Sequence, residues 1–250
     1  MNSRNSFWFW FVLFGGLLMV MLVSPFSRGC KNEKVKGNGN LETVSRSVAG
    51  FNEIFLAGSI DLKVRQGEKF DVKIHADENL LKHINLDKKG SQLVIKMQKG
   101  IRYSSANPIV ISIVMPRLTK VSSAGSGDIE IENQFVSDNK LELSVAGSGN
   151  VKGSIHSPDV VASIAGSGDM TLQGECRNLD VNILGSGNFR AADLKSENAD
   201  LNIAGSGDIQ VFVSQELKAN IAGSGNIRYA GNPLKVERNV AGSGAVNPAD

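Results

Sequence analysis

The chain has 250 residues, room for one large domain or two small ones, with 27 Lys+Arg against 25 Asp+Glu. Two of the cations, Arg4 and Arg28, fall in the first 29 residues, so the remainder holds 25 of each sign. That balance argues against nucleic acid or an anionic bilayer as an electrostatic partner. Twenty-seven glycines exceed what an ordinary helical domain carries, and 41% apolar residues exceed what a disordered chain carries. Two cysteines build neither a disulfide framework nor a thiolate metal cage.

Arg4 precedes an apolar run from Phe7 to Val23, ended by Ser24, Pro25 and Phe26. A cationic start, an apolar stretch and a small-residue exit read as an export signal over residues 1–29. The run is slightly short of the ~20 residues a spanning helix needs, which favours cleavage over a retained anchor. Gly29 before Cys30 fits a lipoprotein signal, while Ser27 and Arg28 depart from its usual pattern. Cys30 is therefore the expected lipid attachment site, with simple cleavage as the alternative. Residues 30–40 read as a polar tether. The second cysteine, Cys176, reads as a packed or surface thiol.

Residues 41–118 lack a short period but still read as strands: Ile54 to Val64, Phe70 to Ala76, Leu93 to Met97 and Ile109 to Met115. The one helical candidate runs from Asp77 to Ile84, with Asp77 as cap and Leu80, Leu81 and Ile84 facing the core. This part is expected to form one continuous domain, 41–250, with the strands C-terminal to it and to cover their open end, since uncovered strand edges invite aggregation.

From residue 119 to 250 the chain is a repeat. A bend of Ala or Leu followed by Gly-Ser-Gly recurs with first glycines at Gly125, Gly147, Gly166, Gly185, Gly205, Gly223 and Gly242. A degenerate copy, Ala57-Gly58-Ser59, stands upstream. Before each bend, positions two, four and six back are mostly apolar and the intervening ones mostly polar, the period-two signature of strands with one buried face. About 19 residues cannot close a core alone, but stacked units can. The fold expected is all-β: a right-handed parallel β-helix of about 19-residue coils, with a non-repetitive β-rich N-terminal part carrying one short helix. A twisted sandwich of hairpins is the alternative geometry.

The residue after each bend alternates: Asp128, Asn150, Asp169, Asn188, Asp208, Asn226, then Ala245. Stacked coils lie about 4.8 Å apart. Asn between carboxylates doubles their separation and halves their repulsion. These six positions read as structural ladder and bend residues, with amides bridging neighbours. Simple turn preference explains Asp and Asn here as well.

No catalytic constellation emerges. His75, His83 and His156 have no partner at metal-ligand or triad spacing. The serine column has no resident base. Gly-Ser-Gly-Asp differs from calcium-binding β-roll repeats in period and spacing, and half the units carry Asn. No cofactor and no metal site are expected.

Val35-Lys36-Gly37-Asn38-Gly39-Asn40, Gly50-Phe51-Asn52-Glu53-Ile54 and Ala76-Asp77-Glu78-Asn79-Leu80-Leu81, together with the serial bends, resemble the bacterial family described as "putative auto-transporter adhesin, head GIN domain". The likeness runs from about Val35 to Val246, although a literal Gly-Ile-Asn is absent. It implies a β-helical, exported and often lipidated envelope protein, and carries over no catalytic or ligand residue. The combined expectation is a non-enzymatic envelope protein, outer-membrane or periplasmic and anchored through Cys30. Its possible partners are a cell-surface glycan, an envelope protein, or a second copy meeting it end to end. A periplasmic structural or stress-response scaffold and a carbohydrate-active enzyme are the alternatives.

Overall fold

The computed structural model describes residues 33–249. The expected export signal and the expected lipid attachment site, Cys30, lie outside the described residues.

Each bend is the corner of a coil, and the coils pair in parallel and in register. Leu143 stacks on Val121, Ala162 on Leu143, Val181 on Ala162, Leu201 on Val181 and Ala219 on Leu201. These side chains are buried. Val, Leu and Ala recur in that order along the column, so like side chains do not stack directly on one another. The parallel pairing excludes a hairpin sandwich, and the chain is a β-solenoid of about seven turns with coils about 19 residues apart.

Glycine is required at the bend because the turns stack backbone on backbone. Gly147 has φ 134°, and a Cβ there would lie 2.2 Å from the Gly125 carbonyl oxygen. That oxygen accepts hydrogen bonds from Ser148 N–H at 3.0 Å and Gly149 N–H at 3.2 Å, so the space is occupied by pairing between coils.

The ladder begins earlier than the seven clear repeats indicate. Glu53–Gly58 pairs in parallel with Lys120–Gly125, placing Gly58 under Gly125. Residues 53–66 therefore form a coil of the solenoid, and residue 119 marks no break in pairing. This coil carries Ile60 where later coils have the second glycine. Its pairing with the strand beneath ends at Ala57 against Lys96, and the Ile60 side chain is buried. Gln92–Met97 and Val110–Met115 lie on the far side of this coil, paired in parallel with Glu53–Gly58 and Asp61–Gln66. A segment later in the chain thus extends the solenoid below an earlier one. Leu41–Arg46, Asp71–Asp77 and Ile84–Lys89 then pair antiparallel at that end.

Two sequence readings need correction here. The helix is one turn, Glu78–Leu81, and Asp77 makes no side-chain cap hydrogen bond. Its carboxylate instead accepts from Ser105 Oγ at 2.6 Å and Asn107 Nδ2 at 2.8 Å. The first helical N–H, that of Glu78, bonds to the Asn40 carbonyl. Leu80, Leu81 and Ile84 are buried. Within the polar tether, Glu33–Lys36 is a strand paired with Ile101–Ser104. Asn38 N–H then donates to Asn79 Oδ1, and Asn79 Nδ2 donates to the Lys36 carbonyl.

The last coil, Lys235–Gly242, is exposed along most of its length. Arg238 occupies the column that holds Ala219 in the coil below. Its guanidinium reaches back to donate to Tyr229 Oη at 2.5 Å and lies over that ring.

Candidate functional site

The six alternating Asp and Asn residues meet in one continuous chain of hydrogen bonds. Asn150 donates its backbone N–H (2.8 Å) and its Nδ2 (3.0 Å) to Asp128 Oδ1. Asp169 N–H donates to Asn150 Oδ1 at 3.0 Å. Asn188 repeats the double donation onto Asp169, Asp208 N–H bonds to Asn188 Oδ1, and Asn226 doubly donates to Asp208. Each carboxylate thus receives two donors from the next coil, and the amide oxygens of Asn150 and Asn188 one each. Burial pushes the Asp169 carboxyl up, but hydrogen bonds from Arg190 and Asn188 outweigh it and hold the group below the usual carboxylate range.

A further rung escaped the sequence reading. Asp128 N–H donates to Asp61 Oδ1 at 3.0 Å, so the column begins one coil earlier, with two acids adjacent. The signal was present: Asp61 follows Ala57-Gly58-Ser59-Ile60 at the spacing at which Asp128 follows its own bend.

The outer face of the strands before the bend carries two more ladders. Asn178 donates to Asp159 at 2.7 Å and Asn198 to Asn178 at 3.0 Å. Asn202 donates to Asn182 at 3.2 Å and Asn220 to Asn202 at 2.9 Å. Between these ladders Asp180 and Asp200 are neighbours in register and line a shallow groove of about 260 Å³. Burial pushes the Asp180 carboxyl above the usual range, with a contribution from the Asp200 charge. Ion pairs flank the groove, Lys140 with Glu142 at 2.7 Å on one side and Lys235 with Glu216 at 3.0 Å on the other. A wider concavity of about 630 Å³ lies on the strands after the bend.

The remaining reactive side chains are scattered. His75 bonds to Thr43, His83 to Gln98, and His156 faces Glu175. Cys176 is buried, and burial, aided by the Asp159 charge, pushes its thiol up to about 12. A thiol in that state is a poor nucleophile at neutral pH. Among the described residues no group of three or more His, Cys, Asp or Glu is placed to hold a metal ion.

The geometry is that of a scaffold whose polar side chains are ordered coil by coil, and a family model matches it over residues 50–233. The chain belongs to the family described as "putative auto-transporter adhesin, head GIN domain". A solved structure of a "putative adhesin" from Bacteroides fragilis shares 26% identity with this family member at a TM-score of 0.82, covering 86% of this chain and 100% of that one. A "putative lipid binding protein" from Parabacteroides distasonis shares 30% identity, with a TM-score of 0.69 and coverage of 87% and 100%. A "putative adhesin" from Parabacteroides merdae shares 28%, with a TM-score of 0.68 and coverage of 87% and 99%. No match was found among curated proteins.

Proposed function

We propose that this protein is an exported, non-enzymatic component of the cell envelope whose solenoid serves as an adhesin-like binding surface. The observation that carries the reading is the set of Asp and Asn ladders. They fix hydrogen-bonding groups at one spacing along two edges of the coils, and their polar groups are engaged with one another rather than gathered around a reacting atom. Such a surface suits a partner that is itself extended and repetitive, a surface glycan or an envelope protein. The family match and the "putative adhesin" neighbours support the same reading. The lipid-binding name of the Parabacteroides distasonis neighbour finds less support in this chain. The inward columns are filled by side chains such as Phe135, Phe189 and Leu201, all fully buried.

Anchoring through Cys30 on the outer membrane or at the periplasmic face completes the proposal. Intact mass of the protein from membrane and soluble fractions, with and without Cys30→Ala, tests it: a diacyl or triacyl increment that the variant lacks is the expected result. The binding role is tested on an array of surface polysaccharides and by crosslinking to intact envelopes. Absence of binding in both overturns it.

End-to-end self-association is a second reading, favoured by the exposure of Val240 and Leu234 at the last coil. Sedimentation at rising concentration decides it, since a strict monomer at high concentration removes it.

A further inference from the structure

The coils differ in length, and the difference is concentrated on one face. Successive first glycines are 22, 19, 19, 20, 18 and 19 residues apart, so a long coil stands on either side of two 19-residue coils. In the first long coil Glu132, Asn133 and Gln134 lie opposite a single residue, Ser154. In the second, Ala191, Ala192 and Asp193 lie opposite Leu172 and Gln173, and Ala192, Asp193 and Leu194 have no counterpart on the following coil. Both excursions fall on the strands after the bend.

The first bulge is rigidly built. Asn133 Oδ1 accepts from Gln66 N–H at 2.8 Å, and Asn133 Nδ2 donates to the Gln66 carbonyl at 3.2 Å. In return Gln66 Nε2 donates to the Val136 carbonyl at 2.8 Å, and Gln66 Oε1 accepts from Val136 N–H at 2.9 Å. Two side-chain amides thus replace the backbone pairs that the extra residues displace. Bulges secured in this way re-aim side chains and belong to the design of a sheet.

Between the two bulges lies the concavity of about 630 Å³, within the range of ~300–1,000 Å³ typical of ligand sites. Its walls are three coil spacings apart, about 14 Å. The floor presents Ser154, Thr171, Gln173 and, beyond them, Gln210. The cations at its edge are already neutralised: Lys152 pairs with Glu130 at 3.0 Å and Arg190 with Asp169 at 2.7 Å. The hydrogen bond from Lys152 holds the Glu130 carboxyl below its usual range, so this group stays ionised and paired. Two further acids stand at the walls, Glu132 beside Lys63 at 3.6 Å and Asp193 on the second bulge; the floor between them is a row of amides and hydroxyls, each able to donate and accept.

Resting on the adhesin reading, we propose that this trough is the binding site for an uncharged, extended polyhydroxyl chain, a neutral glycan strand lying along the coils. With its cations neutralised and acids at both walls, the trough disfavours an anionic ligand, and its floor offers no charge to a cationic one. Amide and hydroxyl groups match vicinal hydroxyls, and a trough bounded on two sides takes a chain rather than a single small molecule.

The test titrates the isotopically labelled full chain with neutral gluco-, manno-, galacto- and xylo-hexasaccharides and follows backbone amide shifts. Shifts gathered at residues 152–154, 171–173, 190–193 and 210 are expected. The double variant Thr171→Ala/Gln173→Ala should weaken binding about tenfold or more. Lys88→Ala/Lys89→Ala, in the N-terminal part and outside both the trough and the Asp and Asn ladders, should leave it unchanged. Both pairs are exposed or half-buried polar residues, and unfolding curves check that they fold. Hexasaccharide binding that survives Thr171→Ala/Gln173→Ala, or shifts confined to the face of Asn178 and Asn198, overturns the trough and leaves the adhesin reading standing. Failure of every hexasaccharide while envelopes still bind overturns the trough alone. Failure of both probes overturns the two together.

Discussion

The corner of the solenoid and the strand that follows it obey different rules. At the corner every coil repeats the same backbone path, because each turn is packed directly on the turn below and each Gly carbonyl is claimed by N–H groups of the next coil. On the strand after the corner, coils gain or lose residues, and side-chain amides such as Asn133 and Gln66 absorb the difference. Where backbone stacks on backbone, a repeat has no freedom. Where side chains mediate the contact, length can vary, and a concave surface can form without disturbing the ladder.

The sharpest way to break this comparison is to add one methyl group at the corner. Gly147→Ala drives a Cβ into the Gly125 carbonyl, and the coils must part. A loss of at least about 3 kcal/mol, or failure to fold, is expected in chemical denaturation. Gly100 also has a positive φ but open space around it, and Gly100→Ala should cost only about 1 kcal/mol. Equal costs would refute the role given to stacking.

The Asp and Asn column offers the next test. Asn188→Asp removes the Nδ2 donation to Asp169 and sets three carboxylates in succession. A loss of about 1–2 kcal/mol is expected at neutral pH, partly recovered by salt. Asp208→Asn keeps an amide at every contact and should be nearly neutral. If the two variants unfold alike, the alternation has no electrostatic meaning.

At the other end of the molecule, hydrogen bonds from Ser105 and Asn107 hold the Asp77 carboxyl below the usual range. A depressed folded pKa contributes stability above the unfolded value, near pH 4, which is lost as pH falls through the folded value. The Gly39 N–H also donates to this carboxylate, so amide protection at residues 37–40, corrected for the intrinsic rate, should fall in acid before protection in the coils does. A uniform fall would show that Asp77 does not hold this segment.

The smallest effect is expected at Asp180, whose raised pKa marks a charge that the fold tolerates rather than uses. For an acid with a raised folded pKa, stability falls as pH rises through the unfolded value. Asp180→Asn should accordingly stabilise by up to about 0.5 kcal/mol at neutral pH, read from the denaturation midpoint. Destabilisation would assign that carboxylate a structural duty.

The corner was legible in the sequence because its constraint is local: Gly-Ser-Gly at near-constant spacing and an apolar residue two positions before each bend suffice to place strands and a buried face. The groove and the trough were not legible, because their parts are far apart in the chain. Asn133 answers to Gln66, 67 residues away, and nothing adjacent to either marks the pairing. Asp77 misled for the same reason. It stands where a helix cap belongs, yet Ser105 and Asn107, distant in sequence, compete successfully for its carboxylate.

By itself the sequence determined the repeat, the inward and outward residues of each coil and the Asp/Asn column, since a period of two and a period of about 19 are properties of a single chain. Only the tertiary structure decided that residues 53–66 belong to the same ladder as residue 125, that a later segment lies below an earlier one, and that unequal coils enclose a trough. These depend on which strand edges meet. A strand edge offers the same N–H and C=O groups whatever its sequence, so the partner is chosen by the packing of the whole.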